Sequence, residues 1–345
     1  MAEISINDSG SIAAVKMNSQ LSTTIDASTY GSGWASQINA KVGSGLITDL
    51  DYGSTLSGKI GGLDTIRVMT FNVGHFSDGG SASPSFTESQ YIDYRNRFTA
   101  LLNVVNADII LVQEYTINVY QSNAAKDVLF GNYPYYTIGS VGGDSIINAV
   151  FSKLPYTFIR EQNFSESNVS SRYRYYQLLE LAFGGHTIGI VNAHLDTTKS
   201  GNNYRFEQFG EIVDALKGYD CAIYGSDSNV ARVQDDGLGA AQWNVINYWV
   251  NGGNYDLGNI YGTKSCGSGY GGGLYSLANN PSDPIGTWPT TRCQFSGYAA
   301  LSCPCDNIVA KGFSISNVTR IDSTDTPSND LSDHCVLFAD LTFIR

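Results

Sequence analysis

Asp108-Ile-Ile-Leu-Val-Gln-Glu114 is a nearly unbroken apolar run that ends in a carboxylate. A run of this kind, without polar alternation, is typical of a strand that is buried on both faces of a sheet. Ile66-Arg-Val-Met-Thr-Phe71 alternates instead and predicts a second strand, which carries Asn72 at its end. Both strands place a polar side chain where a sheet scaffold can bring distant residues into one pocket.

Later apolar runs predict further strands, and polar residues flank several of them. These strands are Ile146–Phe151, Gln177–Phe183, Thr187–Ala193, Cys221–Tyr224, residues 303–310 and Cys335–Phe343. The polar residues beside them are His194, Asp227, Asn229, Asp306 and the tripeptide Ser332-Asp333-His334. Carboxylates, amides and imidazoles in one pocket supply ligands for a hard cation and general acid/base groups beside it. That combination suits metal-assisted phosphoester hydrolysis.

Helical patterns separate the predicted strands. Thr87–Val105 is the clearest, because Thr87 and Gln90 form a capping box and apolar residues then recur at helical spacing. Residues 209–216 predict a second helix and residues 243–250 a third. Strands in two groups with helices between them predict a sheet-on-sheet core covered by helices, which is a layered α/β sandwich.

The two ends of the chain differ in composition. Residues 1–62 are rich in Gly, Ser and Thr and predict a small β-like appendage or arm, with the catalytic domain in residues 63–345. Such an arm is a possible tether to a larger particle or surface, and a flexible leader without function is an equal alternative. Gly252–Ser302 has little periodicity and predicts a long loop region near the site.

Composition limits the class of protein. The chain has 345 residues, of which 42% are apolar, and this is enough for a sizeable core. It contains no apolar run of about 18 residues, so no transmembrane segment is predicted, and no signal peptide is visible. The net charge of −12 argues against a long nucleic-acid groove, although metal ions and local Arg residues can offset repulsion at a site. The scarcity of charged residues weakly favours a secreted or virion-associated protein.

The six cysteines fall into two groups. Cys221 and Cys335 lie inside apolar strands and are interpreted as buried small hydrophobes. Cys266, Cys293, Cys303 and Cys305 cluster in a Gly-rich segment. Disulfides and a metal site both remain open for this cluster, but the Cys-Pro-Cys pair lacks the usual spacing of zinc ligands.

The polar residues also occur in a characteristic order. The series Asn72, Glu114, His194, Asp227-x-Asn229, Asp306 and Ser332-Asp333-His334 resembles the endonuclease/exonuclease/phosphatase superfamily, whose best-known member is pancreatic-type deoxyribonuclease. The resemblance extends from about Ile66 to Phe343. It implies a four-layer α/β sandwich of two packed mixed β-sheets flanked by helices, and a metal-dependent phosphoric ester hydrolase.

A metal ligand is the first role to assign. Glu114 leaves a buried strand, so its carboxylate needs either a cation or hydrogen-bond donors such as backbone amides. The first alternative is favoured by the other carboxylates. Asn72 would either coordinate the same cation or orient the scissile phosphate, and Asp333 would complete this sparse shell or support a second ion. Such a shell suits Mg²⁺, and Mn²⁺ or Ca²⁺ would suit similar ligands.

The resemblance implies the acid/base roles. His334 would be the general base, held in the right tautomer by Asp306. His194 would act as an acid or as a donor to the phosphate. Asp227 and Asn229 lie two apart, so on an extended segment both would face the site, one orienting water and the other donating to a phosphate oxygen.

Other candidates are less specific. Arg174, or Arg172 near it, is a plausible phosphate clamp, and a solvated surface Arg is the alternative for both. Among the remaining histidines, His75 could line the pocket but is interpreted as structural, and His186 as an exposed turn residue. Ser226 stands where the family usually has glycine before the Asp, with Gly225 one step away, which leaves the local backbone geometry open.

Three substrate classes compete. The resemblance favours a deoxyribonuclease-like endonuclease, because abasic-site nucleases lack a histidine at the position of His194. A phosphatase or phospholipase C-type hydrolase on small or lipid phosphoesters is the alternative. Asn307 stands where inositol-polyphosphate phosphatases have Arg, and this counts against that branch. A non-catalytic binding module on the same fold is a weaker alternative, because fold does not determine function.

Overall fold

The computed structural model describes most of the predicted catalytic region. It covers residues 65–76, 86–140, 147–165, 174–196, 204–229, 275–277, 306–321, 331–332 and 334–344. Predictions for residues 1–62, the third helix, Arg172, Asp333 and the four clustered cysteines lie outside these ranges. Within them, no helix combines the length and the apolar character that a membrane crossing requires.

The described elements are fourteen strands, three α-helices and one 3-10 turn. The strands are β1 (Thr65–Asn72), β2 (Ile109–Tyr115), β3 (Asn118–Tyr120), β4 (Asn123–Ala124), β5 (Tyr135–Ile138), β6 (Ile147–Ser152), β7 (Thr157–Asn163), β8 (Tyr175–Phe183), β9 (His186–His194), β10 (Cys221–Asp227), β11 (Tyr275–Leu277), β12 (Asp306–Lys311), β13 (Phe313–Ile321) and β14 (Val336–Phe343). The helices are α1 (Glu88–Val105), α2 (Ala125–Val128) and α3 (Tyr204–Leu216), and Gly74–Phe76 forms a 3-10 turn.

Two mixed sheets of six described strands each form the core. Their strand orders are β13-β14-β1-β2-β6-β5 and β11-β12-β10-β9-β8-β7. Each sheet contains one parallel pair at its centre, β1 with β2 and β9 with β10. Helix α1 contributes Phe98 to the core of the first sheet, and α3 contributes Phe209 to the core of the second. The layer order α/β/β/α is therefore the predicted sandwich, and the fold prediction is confirmed.

The first helix begins as its sequence predicts. Thr87 is its N-cap, and the capping box with Gln90 is formed in both directions. Its buried face carries large aromatic side chains, among them Phe98, whose ring stacks on Phe71 of β1 with 6.0 Å between ring centroids. The capping box determines where the helix starts, and the aromatic face determines which side meets the sheet.

Neutral amide side chains fill part of the interface between the sheets. We call Gln113, Asn148, Gln177 and Asn192, all buried, the amide seam. The Gln113 amide donates to Asn192 Oδ1 at 2.8 Å, and the Asn192 amide donates to the Ala149 carbonyl at 3.0 Å. The two sheets are thus joined by directional bonds as well as by apolar packing, which fixes their register.

Close approach of the sheets explains a glycine beside the site. An added Cβ at Gly225 of β10 would lie 2.3 Å from Leu111 Cδ1 of β2. A side chain at position 225 would clash with Leu111 and push the sheets apart, so this position requires a glycine. Ser226 faces elsewhere, and its Oγ lies 2.7 Å from Ser228 Oγ. The missing glycine before Asp227 therefore leaves the strand intact.

The sequence patterns missed the outer strands. β5, β7 and β13 were not predicted, and β7, at one edge of its sheet, exposes most of its residues. An edge strand with a solvated face carries polar residues without strict alternation, so its pattern resembles a loop. The predicted loop Gly252–Ser302 also contains a strand, because β11 pairs with β12.

Candidate active site

Pairing within the second sheet aligns three candidate residues. Asp227 lies opposite His194 in the parallel pair and opposite Asp306 in the antiparallel pair. Neighbouring side chains across a ladder share one face of the sheet. The register of β9, β10 and β12 is therefore what brings these three polar groups together.

The loop before β14 adds the fourth group. His334 Nδ1 lies 2.9 Å from Asp306 Oδ2, and both side chains are buried. The His334 backbone amide donates to Ser332 Oγ, which itself donates to the Asn72 carbonyl at 2.6 Å. Because the carboxylate accepts from Nδ1–H, the other ring nitrogen of His334 keeps its lone pair.

Asp227 is the centre of the arrangement. Its Oδ2 accepts a hydrogen bond from the Asn72 amide at 2.8 Å and lies 3.3 Å from His194 Nε2 and 3.7 Å from His334 Nε2. Burial, and then the negative charge of Asp306, raise the pKa of Asp227 to about 6, although His334 and Asn72 act in the opposite direction. An ionised Asp227 is therefore destabilised relative to an exposed aspartate.

Asn229 departs from its predicted geometry. β10 ends at Asp227, and Asn229 has a left-handed φ of 49°, so the strand alternation does not reach it. Its backbone amide donates to Asp227 Oδ1, its side-chain amide donates to the Leu195 carbonyl at 2.9 Å, and Arg205 donates to its carbonyl oxygen. Through these contacts, Asn229 stabilises the turn that follows Asp227.

His194 is a neutral imidazole in this environment. Burial first, and then the positive charge of Arg174 and of the protonated forms of His334 and His75, hold its pKa well below the ordinary value. Its Nε2 faces Asp227, and its Nδ1 makes no hydrogen bond within the described part of the chain. A neutral ring suits donation from Nε2–H to an anionic oxygen better than release of a proton from an imidazolium.

Glu114 stands in a strained position at the end of β2. A β-bulge interrupts the pairing of β2 with β6 here, and the φ of Glu114 is 54°. Its carboxylate lies 3.2 Å from His75 Nε2 and 4.0 Å from His194 Nε2. No backbone amide of the described ranges donates to it, so the amide-bonded alternative for Glu114 is not what the structure shows.

His75 was interpreted as structural, although it could also line the pocket. It is buried, and its Nε2 lies 3.2 Å from the Glu114 carboxylate. The signal in the sequence for a place near the site is its position three residues after Asn72, just after a glycine. Arg174, the predicted clamp, is also buried and lies directly before β8, where its charge acts on His194.

The structure therefore brings together most of the predicted set. We call Asn72, His194, Asp227, Asp306 and His334 the acid–base cluster, with Glu114 beside it. One group of described side chains could hold a divalent ion, because ligand atoms of Asp227, Asp306 and His334 lie within 4.8 Å of one another. The Glu114 carboxylate, 4.0 Å from His194 Nε2, is an alternative oxygen donor beside this group. Carboxylate oxygens are ligands that suit a hard divalent cation.

Comparison with solved structures identifies the fold. An endonuclease/exonuclease/phosphatase from Beutenbergia cavernae is 14% identical with a TM-score of 0.54, covering 81% of this chain and 72% of that one. One from Bacteroides vulgatus is 18% identical (TM-score 0.52, 81% and 99% covered), and D. rerio TDP2, in complex with a single-strand DNA product, is 16% identical (TM-score 0.52, 81% and 99%). By sequence, no family model and no curated protein matches. The likeness therefore establishes the fold.

Proposed function

Because the chain has the fold of the endonuclease/exonuclease/phosphatase superfamily, we propose that it is a divalent-metal-dependent phosphodiesterase that acts on nucleic acid as an endonuclease. The observation that carries this proposal is the buried Asp306–His334 pair facing Asp227 at the ends of the central strands. An imidazole oriented by one carboxylate and facing a second one is equipped to activate water.

His334 is the proposed general base. Its Nε2 and Asp227 Oδ2 are 3.7 Å apart, so one water molecule can hydrogen-bond to both. His334 Nε2 takes a proton from this water as the water oxygen attacks phosphorus and the bond to the leaving oxygen breaks. Asp306 stabilises the imidazolium that forms, because it accepts the Nδ1–H bond.

The other polar groups stabilise the phosphate. His194 Nε2–H and the Asn72 amide, which both face Asp227 Oδ2, are the proposed donors to the phosphate oxygens beside the attacked atom. Asn229 holds Asp227 through its backbone amide. Arg174, close to His194 and buried, contributes positive charge to the same region.

Glu114 is the proposed metal ligand, with Asn72 and Asp333 as further oxygen donors. Coordination by His334 Nε2 in the group of Asp227, Asp306 and His334 would occupy the lone pair that has to accept a proton, so that position conflicts with general base catalysis. A divalent ion supplies Lewis-acid stabilisation of the charge that develops on the phosphate and on the leaving oxygen. Mg²⁺ fits one carboxylate plus amide, water and substrate oxygens, and Mn²⁺ or Ca²⁺ fits similar donors.

Nucleic acid is the first substrate to test. The solved TDP2 from D. rerio shares the fold and contains a single-strand DNA product. The second candidate is a small phosphodiester, which the net charge of −12 favours because a small substrate needs few basic contacts. Asn307 is buried and donates to Ser228 Oγ at 3.4 Å, so it offers no cationic contact to a polyphosphate.

The test is plasmid nicking by the full chain. We expect supercoiled DNA to be nicked with Mg²⁺ or Mn²⁺, and nicking to stop with EDTA or in Asp227→Ala. Asp214→Ala removes a partly exposed helical carboxylate outside the cluster and serves as the matched control. Failure of well-folded protein to nick, together with hydrolysis of a small phosphodiester that Asp227→Ala abolishes, would replace the nucleic-acid proposal with the second candidate.

A further inference from the structure

His75 is a buried histidine that the proposed mechanism leaves without a role. Its Nδ1 lies 3.4 Å from Thr116 Oγ1, and its Nε2 lies 3.2 Å from Glu114 Oε2. The carboxylate can only accept, so the ring nitrogen that faces it carries the hydrogen. The remaining nitrogen then accepts from the Thr116 hydroxyl, and this contact selects the tautomer.

The backbone on both sides of this contact is strained. His75 and Glu114 have left-handed φ values of 57° and 54°, and Phe76 also has a φ of 57°. Such a conformation is unfavourable for a residue with a side chain, and strain of this kind concentrates where a surrounding structure fixes a functional geometry. Two strained residues therefore meet side chain to side chain at the matched ends of β1 and β2.

Neighbouring contacts hold the turn in place. The Gly74 amide donates to Asn72 Oδ1 at 3.0 Å, which ties the turn to the acid–base cluster. The Phe76 ring packs edge-on against Phe98 and Tyr115, with ring centroids 5.7 Å and 5.5 Å away. The His75 imidazole is thus fixed between the site on one side and the aromatic core on the other.

We propose that His75 is a positioning residue that holds Glu114 for a divalent ion. Its Nε2–H binds Oε2 of Glu114 and fixes the carboxylate plane, which leaves Oε1 as the coordinating oxygen. This inference rests on the proposed role of Glu114 as metal ligand. Hydrogen-bond partners of metal ligands orient them and reduce the freedom that is lost on binding the ion.

The experiment measures Mn²⁺ binding to the full chain by water-proton relaxation, with no substrate present. We expect His75→Ala to weaken Mn²⁺ binding about 10–100-fold, the usual effect of losing such a partner. His75→Gln places an amide N–H near the position of Nε2–H and should restore affinity to within a few fold. His186→Ala, which removes an exposed histidine, should bind Mn²⁺ as the unmodified chain does.

A double-mutant cycle isolates the contact. Glu114→Gln should weaken Mn²⁺ binding, and adding His75→Ala to it should weaken binding no further, because the carboxylate to be positioned is gone. Unchanged affinity in His75→Ala, or equal losses in His75→Ala and His75→Gln, would overturn the positioning role. Unchanged Mn²⁺ affinity in Glu114→Gln would also overturn the positioning role. The ion would then bind at another position, and the proposed role of His334 as general base would be unaffected.

A second pair of variants covers the case in which His75 variants do not fold. Thr116→Val removes the hydroxyl that selects the tautomer, whereas Thr116→Ser keeps it. Weaker Mn²⁺ binding in the valine variant only would support the proposal, and equal binding in both would overturn it. Absence of nicking in a chain whose Mn²⁺ binding depends on His75 and Glu114 would refute nucleic acid as the substrate and leave the positioning role intact.

Discussion

The amide seam and the acid–base cluster lie in the same interface between the two sheets, but their polar groups are bonded differently. In the seam, Asn192 donates to the carbonyls of Val112 and Ala149 at 3.1 Å and 3.0 Å and accepts from Gln113. In the cluster, a single oxygen of Asp227 faces one amide and two imidazoles at 2.8 Å, 3.3 Å and 3.7 Å. In the seam most of the amide groups are hydrogen-bonded, although Asn148 Oδ1 has no partner within the described residues. In the cluster, several groups face one carboxylate oxygen.

This difference separates a stabilising network from a reactive one. Buried amides that form hydrogen bonds from one sheet to the other hold the two sheets in one register. Buried ionisable groups that share partners have shifted pKa values and are poised to exchange protons or bind a charged ligand. Changes in the seam should therefore reduce stability at constant chemistry, and changes in the cluster should remove chemistry without unfolding the chain.

The largest expected effect is the loss of the general base. His334→Ala should lower the rate of phosphodiester hydrolysis about 100–10,000-fold, the range for removing one positioned acid/base group. His186→Ala provides the matched control, because it removes an exposed histidine at the far end of β9. Single-turnover kinetics with both variants would check this, and retention of full activity by His334→Ala would contradict the mechanism.

The next effect belongs to the amide seam. Asn192→Ala should lower the free energy of unfolding by about 2–4 kcal/mol, because it leaves a cavity and buried partners without hydrogen bonds. The Gln113 amide would lose its 2.8 Å bond to Asn192 Oδ1, and two carbonyls would lose a donor. Asn103→Ala, on the exposed face of α1, should be nearly neutral.

Urea denaturation of both asparagine variants measures this difference. The Mn²⁺ affinity of the folded Asn192→Ala protein should stay unchanged, because the seam contributes no ligand. An Asn192→Ala variant that is as stable as the Asn103→Ala control would show that the sheets are held by apolar packing alone.

Asp227→Asn should lower the rate of hydrolysis and raise the stability of the fold. It should abolish hydrolysis and, without divalent ions at pH 8, raise the free energy of unfolding by about 1–3 kcal/mol, since one pKa unit corresponds to about 1.4 kcal/mol. The folded-state pKa of about 6 exceeds the ordinary 3.8, so the native chain loses stability as the pH rises between these values. The gain in the variant should therefore grow across that interval and stay constant above it.

Thermal unfolding of both forms at pH 3.5 and at pH 8 would check this sign. Equal stability of the two forms at pH 8 would mean that the ionised Asp227 is fully compensated by its partners. The same pKa predicts that hydrolysis falls as the pH is lowered through about 6, because protonated Asp227 cannot orient the attacking water.

Much of this arrangement follows from local sequence patterns. The capping box of Thr87 and the aromatic face of α1 are local features, and so is a polar residue such as Asn72 at the end of a buried strand. Contacts between residues that are distant in the sequence were not predicted. The partners Gln113 and Asn192 are 79 residues apart, and no pattern along either strand indicates that they meet.

The left-handed backbone conformations of His75 and Glu114 were not predicted for a related reason. Nothing in the residue types of His75 or Glu114 requires a positive φ, because this conformation is imposed by the anchored turn and the bulge around them. Edge strands such as β13 were missed because their solvated faces weaken the alternation. Sequence thus indicates which residues reach the site, and the packed structure determines which of them touch.

The smallest expected effect concerns a weaker contact of Gln113, a member of the seam. Thr70 Oγ1 lies 3.4 Å from Gln113 Oε1 and 3.2 Å from its Nε2, both longer than the 2.8 Å bond to Asn192. Thr70→Val, which keeps the shape and removes the hydroxyl, should therefore cost less than about 1 kcal/mol of unfolding free energy. Urea denaturation of Thr70→Val and of Asn192→Ala would compare the two losses of unfolding free energy. A loss as large as that of Asn192→Ala would mean that the seam acts as one cooperative network, so that any missing bond disrupts the whole.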